Sequence, residues 1–179
     1  MLNNPNRRDV LRTGGLLLAS VATGAAASTD TPFDIAMQSD TDGARVWFDP
    51  IGLLVPINST IRWRIHQNVH TATAYHPDND DHSLRIPEGA TPWDSDYLVN
   101  PGDAFEVTLT VAGVYDYYCA PHEIGGMVGR IIVQDAIGPA TLPFDYFKDQ
   151  NPDWQDVPDL ARASFPSIQS ILDQGVVRL

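Results

Sequence analysis

The run Phe105-Glu-Val-Thr-Leu-Thr-Val111 fixes the fold class more firmly than any other part of this chain. On an extended backbone Phe105, Val107, Leu109 and Val111 face one way, and Glu106, Thr108 and Thr110 the other. That period of two is the pattern of a half-buried antiparallel strand. Further strand-like runs lie at Ala44–Phe48, Ile61–Ile65, Val69–Tyr75, Gly113–Cys119 and Val128–Val133. Turn formers separate them: Asp49-Pro50, Pro56-Ile-Asn58, Asn100-Pro-Gly102 and Ala112-Gly113,. Short strands at this spacing predict an all-β sandwich with Greek-key links over residues 28–137. His76–Asp96 is polar and proline-containing and reads as a long surface loop. The strand pattern stops after Asp135. Residues 138–179 are expected to be a tail packed on the sandwich, too short to bury a core of their own. The tail is partly helical, with a short helix within Asp159–Gln174 broken or started at Pro166 and with Ile168, Ile171 and Leu172 on one face,.

Cys119 is the single cysteine, which rules out an internal disulfide,. It ends the strand-like run Gly113–Cys119; His122 follows it, then Met127, and a strand resumes at Val128. Gly125 and Gly126 let the chain fold back between them,. Thiolate, imidazole and thioether therefore converge in one tight loop, a soft donor set that suits copper. A trigonal site needs a second imidazole, and His66, His70, His76 and His82 are available upstream. The context Asn68-Val-His-Thr-Ala-Thr73 favours His70. His76, His82, Asp78, Asp80 and Asp81 could form a second metal site, but a solvated acidic loop is the simpler reading. Tyr115 and Tyr117 read as core residues.

This arrangement resembles the plastocyanin, pseudoazurin and halocyanin branch of the cupredoxins over about residues 34–134. Phe48-Asp-Pro50, Leu53, Val55 and Trp63 are similar to the family's approach to its first histidine, and Gly113, Tyr115, Tyr117 and Pro121 to its run through the cysteine loop. The resemblance implies a cupredoxin sandwich holding one copper ion, with His70, Cys119 and His122 as equatorial ligands and Met127 as a long axial one. Thr71 stands where many relatives carry Asn, and is expected to tie two loops together beside the sulfur,. The resemblance further implies single-electron transfer through the His122 edge, with Tyr118 offering a second route as in some relatives.

Residues 1–27 read as a targeting segment. Arg7-Arg8-Asp9-Val10-Leu11-Arg12 precedes a small-sided apolar run that ends at Ala25-Ala26-Ala27, as a twin-arginine signal does. The apolar run is too short for a good membrane span. Export would place the protein in the periplasm or on the outer face of the cytoplasmic membrane, anchored there if the signal is not cleaved. The chain carries 23 acidic and 11 basic residues, a net charge of −12, and Lys148 is its only lysine. Such a surface repels nucleic acid and anionic membrane, and suits either a basic protein partner or a high-salt, halophilic setting. The expected function is a monomeric redox shuttle between proteins such as membrane cytochromes or a terminal oxidase. Three alternatives are weaker. A copper chaperone or storage protein tends to use Met-rich or multi-Cys surfaces. A copper enzyme needs further coppers and usually a second domain. A metal-free binding module would have no use for an intact ligand set.

Overall fold

The computed structural model describes residues 31–179. The expected signal segment, residues 1–27, lies outside the described residues. The strands are β1 (Phe33–Ser39), β2 (Val46–Asp49), β3 (Gly52–Val55), β4 (Ser59–Ile65), β5 (Thr73–Ala74), β6 (Ala104–Leu109), β7 (Gly113–Tyr118), β8 (Val128–Val133) and β9 (Val176–Val177). They form a four-stranded sheet in the order β2-β1-β4-β6 and a five-stranded sheet in the order β5-β7-β8-β3-β9. Two pairings are parallel, β1 with β4 and β3 with β8. Parallel neighbours require crossover connections, which here carry the chain from sheet to sheet. This is the all-β, two-sheet sandwich expected from the sequence.

The core lies between the two inner faces. In β4 the residues Ile61, Trp63 and Ile65 point inward and are fully buried, while Arg62 and Arg64 point out. Tyr115, Tyr117 and Cys119 supply the opposing face from the β7 side. The Tyr117 ring sits edge-on to Trp63 and Phe48, with centroids 5.3 and 4.8 Å away, a favoured aromatic geometry. Gly129 lies directly under that ring: a Cβ there would stand 2.3 Å from Tyr117.

The other face of the five-stranded sheet is covered as well, which is why every residue of β7 and β8 is buried. The covering layer is the C-terminal segment with its two helices, α1 (Asp159–Ser164) and α2 (Ile168–Gln174). Val157, Ala161, Phe144 and Phe165 pack on Tyr75, Tyr118 and Val128. Ala140 and Ile171 pack on Val114 and Ile132. Beneath this layer Asp116 is wholly buried between two guanidinium groups. It accepts from Arg85 Nε at 2.8 Å, from Arg130 Nε at 2.7 Å and from Arg130 Nη2 at 2.9 Å. The two arginines reach past it to the tail: Arg85 Nη2 donates to Ala140 O and Arg130 Nη1 to Pro166 O, each at 2.9 Å. Their planes cover Phe144 and Phe165 at 3.9 and 5.0 Å.

The structure differs from the sequence reading in several places. β1 and β3 were not evident as strands. In β1 Phe33, Ile35, Met37 and Ser39 share the inward face and Asp34, Ala36 and Gln38 the other, a period of two that only Ala36 and Ser39 blur. β3 is a short apolar run, which periodicity cannot classify. The run Val69–Tyr75 pairs only at Thr73–Ala74; His70 instead makes a lone bridge to Leu98. His76–Asp96 is not simply a surface loop, since His82, Arg85, Ile86 and Trp93 within it are buried. The tail explains part of this, because Ser83 Oγ donates to Gln155 O and His82 bridges to Gln155. Pro166 divides the expected helix into α1 and α2. Ile171 is buried, but Leu172 is 41% exposed.

Candidate metal centre

β7 delivers Cys119 to one end of the sandwich, and the chain then turns through a 3₁₀ segment, Ala120–Gly125, that has proline at its start. Pro121 lacks an N–H and so fits a helical first turn without loss. Gly126 ends the segment with φ 83°, a left-handed conformation that glycine adopts freely,. Backbone bonds close the loop: His122 N to Cys119 O at 2.9 Å, Met127 N to His122 O at 3.2 Å, and Cys119 N to Met127 O at 3.0 Å. The loop is braced from outside by α1, since a Cβ on Gly126 would meet Ser164 Oγ at 2.5 Å and Leu160 Cγ at 3.2 Å.

His70 comes from the connection between β4 and β5. A backbone pair with Leu98, at 3.2 and 2.9 Å, fixes its main chain. Its Nδ1 lies 3.6 Å from Cys119 Sγ, and His122 Nδ1 lies 3.3 Å from the same sulfur. The ligand atoms of His70, Cys119 and His122 all lie within 4.8 Å of one another. His70 and Cys119 are fully buried, and His122 is partly exposed. Met127 is fully buried in the same core cluster as Cys119. Among the described residues this is the one such grouping. His66 is exposed, His76 faces Asp78, and His82 pairs with Glu123 at 3.2 Å.

Thr71 joins the two halves of the site. Its N–H donates to Cys119 Sγ at 3.3 Å, and its hydroxyl accepts from Ala120 N at 2.8 Å. Tyr118 points the other way, into the layer under the tail. Its ring stacks on His82 at 4.4 Å and lies 4.5 Å from Tyr75, and only 1% of the residue is exposed. Glu123 accepts from Tyr75 Oη at 2.7 Å and from His82 Nε2. Nothing in the sequence points to His82 or Glu123 as partners, because they lie 41 residues apart in two separate loops.

The donor chemistry fits a thiophilic cation. Burial pushes the Cys119 thiol up to about 12, despite the opposing hydrogen bonds from Thr71 and His122. A metal that replaces the proton relieves this, because a coordinating thiol is deprotonated outright. Burial, reinforced by His122, holds His70 down at about 4, and burial lowers His122 too. Both imidazoles are thus neutral at physiological pH, the form that binds metal. Two imidazoles and one thiolate about a common centre, with a buried thioether nearby, match the set used for copper electron transfer.

Comparison with known proteins agrees with the donor set. The model of the "copper binding proteins, plastocyanin/azurin family" matches residues 35–134. Chloroplastic plastocyanin of Hordeum vulgare is 32% identical over 146 residues, spanning 74% of this chain and 87% of that one. Chloroplastic plastocyanin of Chlamydomonas reinhardtii is 62% identical over 39 residues, a stretch of only 22% of this chain and 27% of that protein. Among solved structures, the pseudoazurin of Methylobacterium extorquens aligns with TM-score 0.51 and 19% identity, over 80% of this chain and 98% of that one. A Sinorhizobium pseudoazurin aligns with TM-score 0.52 and 21% identity over the same shares. These two show likeness of fold.

Proposed function

The chain belongs to the plastocyanin/azurin family of copper-binding proteins, and from that premise we propose that it is a blue-copper carrier shuttling single electrons between redox proteins outside the cytoplasm. The observation that carries the reading is the convergence of two neutral imidazoles on one buried thiol, with Met127 closing the same loop. His70, Cys119 and His122 would hold the ion, with the buried Met127 thioether as a further, weaker donor. When bound, copper supplies a one-electron Cu(I)/Cu(II) couple.

The protein's part is to keep the donors still and dry. Thr71 holds the sulfur, the Leu98 pair holds His70, and three backbone bonds hold the loop. Buried Cys119 and Met127 exclude water. A cage of this kind favours retention of the ion over its delivery, which argues against a chaperone role. Electrons would pass through the His122 edge, which is partly exposed beside Ile124, 79% exposed. Tyr118 would serve at most as an inner relay, since His82, Tyr75 and the tail cover it. The signal-like sequence of residues 1–27 and the net charge of −12 support a partner outside the cytoplasm that presents basic residues.

The test is to express residues 28–179, add one equivalent of Cu(II), and follow the visible spectrum through a reductant titration. The expected result is an intense thiolate-to-copper band that bleaches on reduction, returns on oxidation, and is absent in Cys119→Ser. A colourless protein refutes the proposal.

A further inference from the structure

We infer that Ser39, on β1, is the residue that sets the orientation of the His70 imidazole through its hydroxyl, and that Asn68 holds Ser39 in that role. The inference rests on the copper reading above. His70 turns Nδ1 toward Cys119 Sγ at 3.6 Å, and its other nitrogen, Nε2, lies 3.1 Å from Ser39 Oγ. A ring that offers the Nδ1 lone pair to a metal carries its proton on Nε2, so Nε2–H donates and Ser39 Oγ accepts. The same oxygen accepts from Asn68 Nδ2 at 3.2 Å. Both lone pairs of the hydroxyl are then occupied,.

The surroundings hold this contact in place. Ser39 is only 6% exposed and His70 is fully buried. Gln67 Nε2 donates to the carbonyl oxygens of Ser39 and Asp40 and so fastens the end of β1 to the segment before His70. Asn68 has φ 67°, a left-handed turn that aims its side chain back at Ser39. On the far side of Ser39 a polar cavity of about 480 Å³ opens, lined also by Asp40, Thr41, Asp42 and Asn68. Ser39 is therefore a positioning residue: it touches no ion, but together with the Gln67 backbone, which also hydrogen-bonds the ring, it fixes which nitrogen of His70 is free and how basic that nitrogen is. A hydrogen bond to the outer N–H of a ligand histidine raises the donor strength of the inner nitrogen, and its loss commonly costs 10–100-fold in metal affinity.

The test compares the full chain with Ser39→Ala and Ser39→Thr. Cu(II) and Cu(I) dissociation constants are read by competition with chromophoric chelators, and the reduction potential by titration. Ser39→Ala is expected to weaken Cu(II) binding about tenfold or more while Cu(I) binding changes less. The potential then rises, by 59 mV for each tenfold change in the ratio of the two affinities. Ser39→Thr, which keeps the hydroxyl, restores both readouts, as a purely packing role for Ser39 would not require. Unchanged affinities and potential in a folded Ser39→Ala protein overturn the inference. Should that variant fail to fold, Asn68→Gly, which suits the positive φ, frees the same hydroxyl; an unchanged potential there also overturns it. A wild-type protein that binds no copper refutes the proposed function instead, so the two failures are distinguishable.

Discussion

Asp116 is the position where a single atom exchange should cost most. Replacing it with Asn keeps the shape but removes the charge that two buried guanidinium groups share. Asp116 accepts three hydrogen bonds at 2.7–2.9 Å, while the Arg85 and Arg130 side chains are only 3% and 8% exposed. Asn can accept through one oxygen only, and its NH₂ must face a guanidinium that has no acceptor. Each charge-assisted bond lost is worth about 1.5–3 kcal/mol. Breaking a buried pair from one side typically costs about 3–5 kcal/mol, because the remaining charge is stranded. A loss of about 4 kcal/mol is expected, or roughly 10 °C in Tm for a chain of this size. Urea denaturation of the metal-free protein measures it, with limited proteolysis as a second readout. Cleavage should begin within residues 138–166, because the same arginines hold Ala140 and Pro166. The matched control is Asp34→Asn, whose ion pair with Arg62 is solvent-exposed and should change stability by less than about 1 kcal/mol. A loss below about 1 kcal/mol in Asp116→Asn, with the tail no more cleavable than before, would refute the argument.

Gly129→Ala should cost about 1–3 kcal/mol of overpacking, measured by the same denaturation, because its Cβ would stand 2.3 Å from the Tyr117 ring. Gly126→Ala should strain the ligand loop at its positive φ and push on Ser164 and Leu160; the expected sign is a lower Tm and a shifted thiolate-to-copper band. The metal-free protein should lose stability as pH falls. His70 titrates at about 4 when folded and near 6.5 when unfolded, so between these values the unfolded chain binds the extra proton. This linkage alone removes about 3 kcal/mol between pH 6.5 and 4, and a flat urea midpoint across that window would refute it. His82 works in the opposite sense. Burial lowers its pKa, but the hydrogen bond and charge of Glu123 outweigh burial and raise it. The His82–Glu123 contribution is therefore present below about pH 6.5 and fades as pH rises through the folded value, a slope that His82→Gln should abolish.

What was legible in the sequence was local. The β6 alternation, the β8 boundaries and the Cys119–His122–Met127 loop all declare themselves within one short segment. His70 could be singled out because its neighbours Asn68 and Thr71 are informative. The rest depends on pairings far apart in the chain. Arg85, Asp116 and Arg130 look like ordinary solvated charges until β7, β8 and the tail bring them together. Ser39 gives no signal of its own, because it is one small polar residue at the inward end of β1 and its partner His70 is distant in the chain. Burial within 76–96 is hidden for the same reason: the tail that covers His82 and Arg85 comes much later in the sequence, and Ile86 and Trp93 join a core built from distant strands.

The order β5-β7-β8-β3-β9 also governs how the molecule can be assembled. β3 lies between β8 and β9, so residues 52–55 must wait for residues 128–133 on one side and 176–177 on the other. Contacts of such high sequence separation carry a large loop-closure entropy and make folding slow. During synthesis, β3 would leave the ribosome with neither neighbour available, an apolar Leu53-Leu54-Val55 run with both edges open. The sheet that carries Cys119 is thus among the last parts of the fold to close, and a chain stalled before β9 would be a candidate for aggregation rather than a partly working protein.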